Sequence, residues 1–157
     1  MSTSVDRVRA ALDAAGLRVE LRHYPDGTHT AQDAADAIGV DVGQIVKSLV
    51  FASSDSGEIV LVLTSGANRV DVGKVGALVG ASIGRADPDV VRARTGFAIG
   101  GVPPVGHAEP VRTFVDEDLW CFDEVWAAAG TPRDVFAITA EALLRASGGT
   151  RADVKRG

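Results

Sequence analysis

Lys47 stands inside a largely apolar run, Ile45-Val46-Lys47-Ser48-Leu49-Val50-Phe51, where an ammonium can bind and polarise an oxygen. The run is rich in β-branched and aromatic residues and reads as a strand. Strand side chains alternate between faces, so Lys47 shares one side with Ile45, Leu49 and Phe51, and Ser48 shares the other with Val46 and Val50. The next run, Ile59-Val60-Leu61-Val62-Leu63, is apolar on both faces, as in strands covered on both sides. A charged amine in such a layer is costly unless it meets an anion, carbonyl oxygens or trapped water. The same pattern also fits a lysine whose stem lies along the sheet while its head reaches the rim.

The second chemical feature is the loop Gly96-Phe97-Ala98-Ile99-Gly100-Gly101-Val102-Pro103-Pro104-Val105-Gly106-His107. Glycine lets a backbone approach a ligand and take positive φ, while proline fixes φ and removes a donor, so the mixture gives a rigid loop with bare, directed peptide groups. Such a loop suits a binding site, and equally a tight connection after a strand.

No protein nucleophile is apparent. Cys121 is the only cysteine and lies between Trp120 and Phe122, which reads as a buried, inert thiol. The one Gly-x-Ser-x-Gly string, Gly80-Ala81-Ser82-Ile83-Gly84, leads from an expected helix into an expected strand, not from strand to helix as a nucleophile elbow does. His107 closes the loop and can face a substrate or make a structural hydrogen bond. His29 precedes Thr30, a suitable N-cap for a helix from Ala31 to Ile38. His23 reads as a strand surface residue. None of the three histidines has metal-ligand spacing to another or to Cys121, so no metal is expected. Asp71 is a natural helix cap and Asn68 a turn residue. Arg69 and Lys74 can meet phosphate or be plain surface.

Taken in order, Val46-Lys47-Ser48-Leu49, Ser65-Gly66-Ala67-Asn68-Arg69-Val70-Asp71 and Gly100-Gly101-Val102-Pro103-Pro104-Val105-Gly106-His107 resemble the YbaK/EbsC proteins and the related insertion domain of bacterial prolyl-tRNA synthetases. His29-Thr30-Ala31 and Ala127-Ala128-Ala129-Gly130-Thr131-Pro132 extend the resemblance over nearly the whole chain. It implies a free-standing editing enzyme, an aminoacyl-tRNA deacylase that hydrolyses the ester joining a wrong amino acid to tRNA, most often tRNA for proline. By that resemblance Lys47, Gly100 and Gly101 carry the chemistry. His29, Thr30, Ser48, Ser65, Asn68, Val102, Pro103, Gly106 and His107 contact the substrate. The attacker is a water assisted by the terminal ribose hydroxyl of the tRNA. The chemistry needs no cofactor, because one donor aimed at a developing oxyanion is worth ~3 kcal/mol. Pocket volume decides among alanine, serine and cysteine, with a small side chain expected. The implied partner is the acceptor end of tRNA for proline, with transient contact with prolyl-tRNA synthetase.

Composition bounds these readings. The chain of 157 residues is 46% hydrophobic, enough for one core without disulfide staples. Its single cysteine allows no internal disulfide, its N-terminus lacks the pattern of a signal peptide, and no segment approaches a membrane span, so a cytoplasmic protein with no membrane contact is expected. The net charge of −5 opposes a broad grip on nucleic acid and leaves only a local patch, drawn from Arg69, Lys74, Arg85, Arg92 and Arg94. Two other readings stay open: a non-catalytic module that binds an aminoacyl-tRNA, an amino acid or a nucleotide, and a regulatory protein. DNA binding is not expected, since no basic recognition helix is present.

The elements that must position these groups alternate in type. Helices are expected over Val5–Ala15, Ala31–Ile38, Val72–Val79 and Pro88–Arg94, the last capped by Asp87, with a final helix capped by Thr139 and ended by Gly148. Strands are expected over Val19–Tyr24, Ile45–Ser53, Glu58–Thr64, Ser82–Arg85, Val111–Val115 and Val135–Ile138, with Ser54-Asp55-Ser56-Gly57 as a hairpin turn. Glu124–Ala129 has alanines that favour helix, yet the turn Gly130-Thr131-Pro132 and the resemblance favour strand. The tail from Arg151 to Gly157 reads as disordered chain. The fold class is α/β: one domain, residues 1–157, with a mixed, strongly twisted sheet surrounded by helices. Neither glycine-rich nucleotide fingerprint is present, which argues against a doubly wound nucleotide-binding fold.

Overall fold

In the computed structural model, residues 3–28 and 30–157 are described; His29, one of the expected site residues, lies outside them. Along the chain run α1 (Ser4–Ala14), β1 (Leu21–His23), α2 (Ala31–Ile38), β2 (Val46–Ser53), β3 (Ile59–Ser65), α3 (Val72–Val79), β4 (Ile83–Arg85), α4 (Pro88–Thr95), β5 (Arg112–Asp116), β6 (Val125–Ala128), β7 (Asp134–Ile138), α5 (Ala140–Ser147) and β8 (Thr150–Ala152). Single 3-10 turns fill Val42–Gln44 and Glu117–Cys121. The helix ends follow local chemistry. Thr30, Asp71, Asp87 and Thr139 each accept an early amide of α2, α3, α4 and α5, and each of these helices ends on a left-handed glycine.

Five strands form a mixed sheet in the order β4-β2-β3-β5-β8: β2 runs antiparallel to β3 and β4, while β5 is parallel to β3 and to β8. β3 is its apolar spine, buried at every residue. Leu61 and Leu63 face one core with α1, α4, α5 and the loop residues Phe97, Val102 and Val105. Val60 and Val62 face a second core with Val75 of α3. β1, β7 and β6 form a separate antiparallel sheet. Val125, Ala127 and Phe136 of that sheet join the first core, while Trp126 and Val135 face α2.

The α/β class and the mixed sheet with helices around it match expectation, but the strands divide between two sheets. The reason lies at Ile45. Its N–H is given to Val42 and its C=O accepts from Gly66, so it contributes only an isolated bridge to Trp126 between the sheets. Within the expected strand Glu124–Ala129, Val125–Ala128 forms β6 despite its alanines. The tail is corrected. β8 and the segment after it are built into the fold, with Val154 fully buried beside Val70 and Val75. Short strands with mixed polarity carry little period-two signal, which is why β8 was unreadable.

Candidate active site

Ile45 and β2 enter a pocket of about 420 Å³ framed by α2, β6, the first half of the glycine–proline loop and the turn at Thr131 and Pro132. Its walls are largely apolar, with Ala31, Ile38, Val50 and Val102 among them. Among the described residues lining it, Lys47 and Arg85 are the charged ones, and none is histidine, cysteine, aspartate or glutamate.

The strand edge explains what Ser48 offers. Val50 accepts from Ala86 N–H on the β4 side at 3.1 Å, and Ile45 accepts from Gly66 on the β3 side. Peptide groups alternate along an antiparallel strand, so Ser48 turns its N–H and C=O toward the β4 side. The β4 ladder covers only Phe51–Ser53, so at Ser48 that edge is open toward the pocket. The side chain repeats the theme. Among the described residues, two buried side-chain polar atoms lack a hydrogen-bond partner, Ser48 Oγ and Trp126 Nε1, and both residues line this pocket. Buried polar groups are normally paired, so these two unpaired atoms set this wall apart from the rest of the described interior.

Lys47 is half-buried, and its Nζ donates to the Asn68 carbonyl at 2.6 Å. Burial holds its pKa below the ordinary lysine value, with repulsion from Arg69 and Arg85 adding to the effect and the Asp116 carboxylate opposing it. An ammonium has three donors and the carbonyl engages one, leaving capacity for a ligand oxygen. The carbonyl is held by a polar network. Asn68 Nδ2 donates to Asp116 and to Asp118, both at 2.9 Å. Asp116 is fully buried and also accepts from Thr64 Oγ1, the Ser65 N–H and the Asp118 N–H. Its lone pairs are committed to that scaffold.

Only part of the glycine–proline loop faces the pocket. Ile99, Gly100 and Val102 line it, with Gly100 at φ +93°. Gly101 instead packs on the next turn: a Cβ there would fall 2.8 Å from Thr131 Cα and 2.9 Å from the Gly130 oxygen. Pro103 is buried away from the pocket, Gly106 packs against Arg7 and Ala11 of α1, and His107 folds back with Nε2 at 2.6 Å from the Pro103 carbonyl. Since a carbonyl only accepts, that nitrogen carries the proton. Burial holds the His107 pKa below the usual imidazole value, against the raising effect of that hydrogen bond. At the loop's start Arg7 donates to the Gly96 carbonyl at 2.8 Å and lies over the Phe97 ring.

Of the expected contacts, Lys47, Gly100, Thr30, Ser48 and Val102 come together on one pocket. Gly101, Ser65, Pro103, Gly106 and His107 do not line it. Ser65 Oγ donates to the Gly43 carbonyl at 2.8 Å, a bond that fixes the approach to β2. Asn68 reaches the site through its carbonyl alone. Cys121 is exposed, which corrects the expected buried thiol. The 3-10 turn sends Leu119 into the core and sets Trp120 under Arg151, leaving Cys121 outside. Lys74 pairs with Asp153 and Arg94 with Glu109, each at 2.9 Å, so the expected basic patch is partly neutralised. Trp126, Thr131 and Arg85 line the pocket without having been singled out as contacts. Arg85 was visible only as one cation among several. No group of three or more potential metal ligands forms among the described residues, and no described helix is long and apolar enough to cross a membrane.

A family model described as the aminoacyl-tRNA editing domain matches residues 25–146. Among curated relatives, proline–tRNA ligase of Nitratidesulfovibrio vulgaris strain DP4 is 35% identical over 94 residues, covering 59% of this chain and 16% of the ligase. EbsC of Enterococcus faecalis strain ATCC 700802 / V583, a candidate Cys-tRNA(Pro)/Cys-tRNA(Cys) deacylase, is 25% identical over 126 residues, covering 80% of this chain and 76% of EbsC. A crystal structure of a candidate trans-editing enzyme for prolyl tRNA synthetase superposes with a TM-score of 0.93 at 49% identity, covering 100% of this chain and 99% of the other.

Proposed function

The chain belongs to the aminoacyl-tRNA editing domain family, and from that premise we propose that it is a trans-editing aminoacyl-tRNA deacylase. It hydrolyses the ester of mischarged tRNA, with tRNA for proline carrying alanine, serine or cysteine as the substrate class. The observation that carries this reading is Lys47. Its half-buried ammonium rests on the Asn68 carbonyl, at a pocket whose described walls hold no acid, base or thiol.

The residues divide the work. The apolar wall from α2, Ile45 and Val102 excludes water from a small side chain, in a volume at the low end for small-molecule sites. The Ser48 edge offers backbone groups to the aminoacyl main chain. Lys47 donates to the ester carbonyl oxygen, on which negative charge grows as a water adds to the carbonyl carbon. Gly100 brings the loop backbone to the pocket wall, while the Gly101 N–H is held within the loop by the Ala98 carbonyl at 3.0 Å. The carbon–oxygen bond to the ribose then breaks, and the leaving ribose oxygen takes a proton. As the family resemblance implies, the neighbouring ribose hydroxyl relays that proton. Lys47, Arg69 and Arg85 make this end of the pocket positive despite the net charge of −5, which favours the phosphate-bearing acceptor end. The setting in this proposal is the cytoplasm, with transient contact with prolyl-tRNA synthetase.

The test is release of labelled amino acid from tRNA for proline charged with alanine, serine, cysteine or proline, comparing wild type with Lys47→Ala. Hydrolysis of a mischarged species that depends on Lys47 supports the proposal. Binding without turnover on every species returns the chain to the class of non-catalytic binding modules.

A further inference from the structure

We propose that the C-terminal segment Asp153–Arg156 positions the Lys47 ammonium by fixing the turn that carries the Asn68 carbonyl; the catalytic consequence rests on the function proposed above. Lys47 is oriented by one acceptor, so the placement of its amine is only as definite as that of the carbonyl. The carbonyl belongs to the turn between β3 and α3, whose inner side is held by Asp116 and Asp118 through the Asn68 side chain.

The outer side is held by the tail. Val70 and Lys155 form an antiparallel bridge: Arg156 N–H donates to the Arg69 carbonyl at 2.9 Å, and Asp71 N–H donates to the Val154 carbonyl at 2.8 Å. The three residues that follow Asn68 are therefore paired with the tail. Val154 anchors this ladder by burying fully against Val70 and Val75. Lys155 then couples the two sides, because its Nζ reaches Asp118 Oδ2 at 2.8 Å, the same oxygen that accepts from Asn68. Lys74 locks the segment from α3 by donating to the Lys155 carbonyl at 2.8 Å and to Asp153 at 2.9 Å. A general stabilising role would be met by the Val154 plug alone. The Lys155–Asp118–Asn68 chain adds a route that ends at the Lys47 acceptor.

The experiment compares Lys155→Met and Lys155→Arg with wild type in the full chain. It follows the Lys47 ammonium resonance by 1H–15N spectroscopy, assigned with Lys47→Met, beside deacylation of alanyl-, seryl- and cysteinyl-tRNA for proline. Lys155 is partly exposed, so both variants are expected to fold, and melting temperatures check this. The proposal expects Lys155→Met to shift the Lys47 signal toward that of a free lysine. It also expects kcat to fall on the order of tenfold with KM nearly unchanged. Lys155→Arg, which keeps a donor for Asp118, should restore both. An unmoved Lys47 signal in Lys155→Met overturns the proposal, as does a rate unchanged from an active wild type. If wild type hydrolyses none of these substrates, the proposed function fails, and the Lys47 signal alone decides whether the tail positions the amine.

Discussion

Ser48→Ala should make the protein more stable and less active. Ser48 Oγ is buried and has no partner, whereas Ser53 Oγ, buried on the same strand, accepts from the Asp55 and Ser56 amides at 3.3 and 3.4 Å. An unpaired buried polar group carries a desolvation cost of about 1–3 kcal/mol, and a satisfied hydrogen bond contributes about 1 kcal/mol net. Serine and alanine differ by one oxygen, so the cavity left behind offsets only part of that relief. Ser48→Ala should therefore gain about 1 kcal/mol, read as a rise of about 2–4 °C in a chain of this size. Ser53→Ala, which frees two amides at a turn, should lose about the same. If Ser48 Oγ is kept for a substrate group, its removal costs one hydrogen bond in the complex, about 3- to 10-fold in kcat/KM. Urea and thermal unfolding of both variants, beside deacylation rates, give the comparison. A Ser48→Ala protein destabilised as much as Ser53→Ala would show that the hydroxyl serves the fold, and the argument from unpaired atoms to a ligand would fail.

The remaining predictions concern the amine, the loop and its histidine. Lys47→Met should abolish deacylation without loss of stability at pH 7. The depressed pKa means that the charged form is penalised in the folded chain, and this penalty is fully present at neutral pH and fades as pH rises toward the ordinary lysine value of 10.5. Urea midpoints at pH 7 and pH 10 should show the variant's advantage shrinking. Gly101→Ala forces a methyl onto backbone atoms of Gly130 and Thr131, neither of which can yield cheaply. It should lower the melting temperature, at a cost of about 1–3 kcal/mol, and slow deacylation by moving Gly100 and Val102. His107 is held neutral by burial, so wild type should lose stability as pH falls below the ordinary imidazole value of 6.5, where the folded chain resists the proton that the unfolded chain takes up. His107→Gln keeps a donor for Pro103 and should remove that part of the slope, measured as melting temperature from pH 7.5 to 5.

What could be read in advance was local. The caps Thr30, Asp71, Asp87 and Thr139 sit where their helices begin, because a side-chain oxygen two or three residues before an orphan amide is a short-range rule. The burial of β3 followed from an unbroken apolar run. Lys47 stood out because its neighbours were apolar. Cys121 misled for the same reason, since aromatic neighbours in sequence say nothing about which way a 3-10 turn points its last residue. The resemblance implies His107 and Gly106 as substrate contacts with the rest of their loop, but the loop crosses the core and only its first half lines this pocket.

Asp116 shows why the machinery behind Lys47 was illegible. In sequence it is one acid in an acidic stretch, Asp116-Glu117-Asp118, unremarkable beside 21 acidic residues in the whole chain. Its role comes from partners about 50 residues away, Thr64, Ser65 and Asn68, that meet it only once β5 has paired parallel with β3. Lys155 arrives from further still, by way of β8 and the buried Val154. The network is nonetheless chemically economical. An aspartate salt-bridged directly to Lys47 would use up the amine's charge and raise its pKa, whereas an aspartate that binds an asparagine, whose carbonyl binds the amine, orients Lys47 without neutralising it. The amine keeps two donors and a net positive field from Arg69 and Arg85 for whatever oxygen enters the pocket. On this reasoning Asp116→Asn leaves the charge of Lys47 intact but sets an amide nitrogen either against the Thr64, Ser65 and Asn68 donors that share Oδ2 or against the Asp118 N–H at Oδ1. It should cost stability first and activity through the displaced carbonyl.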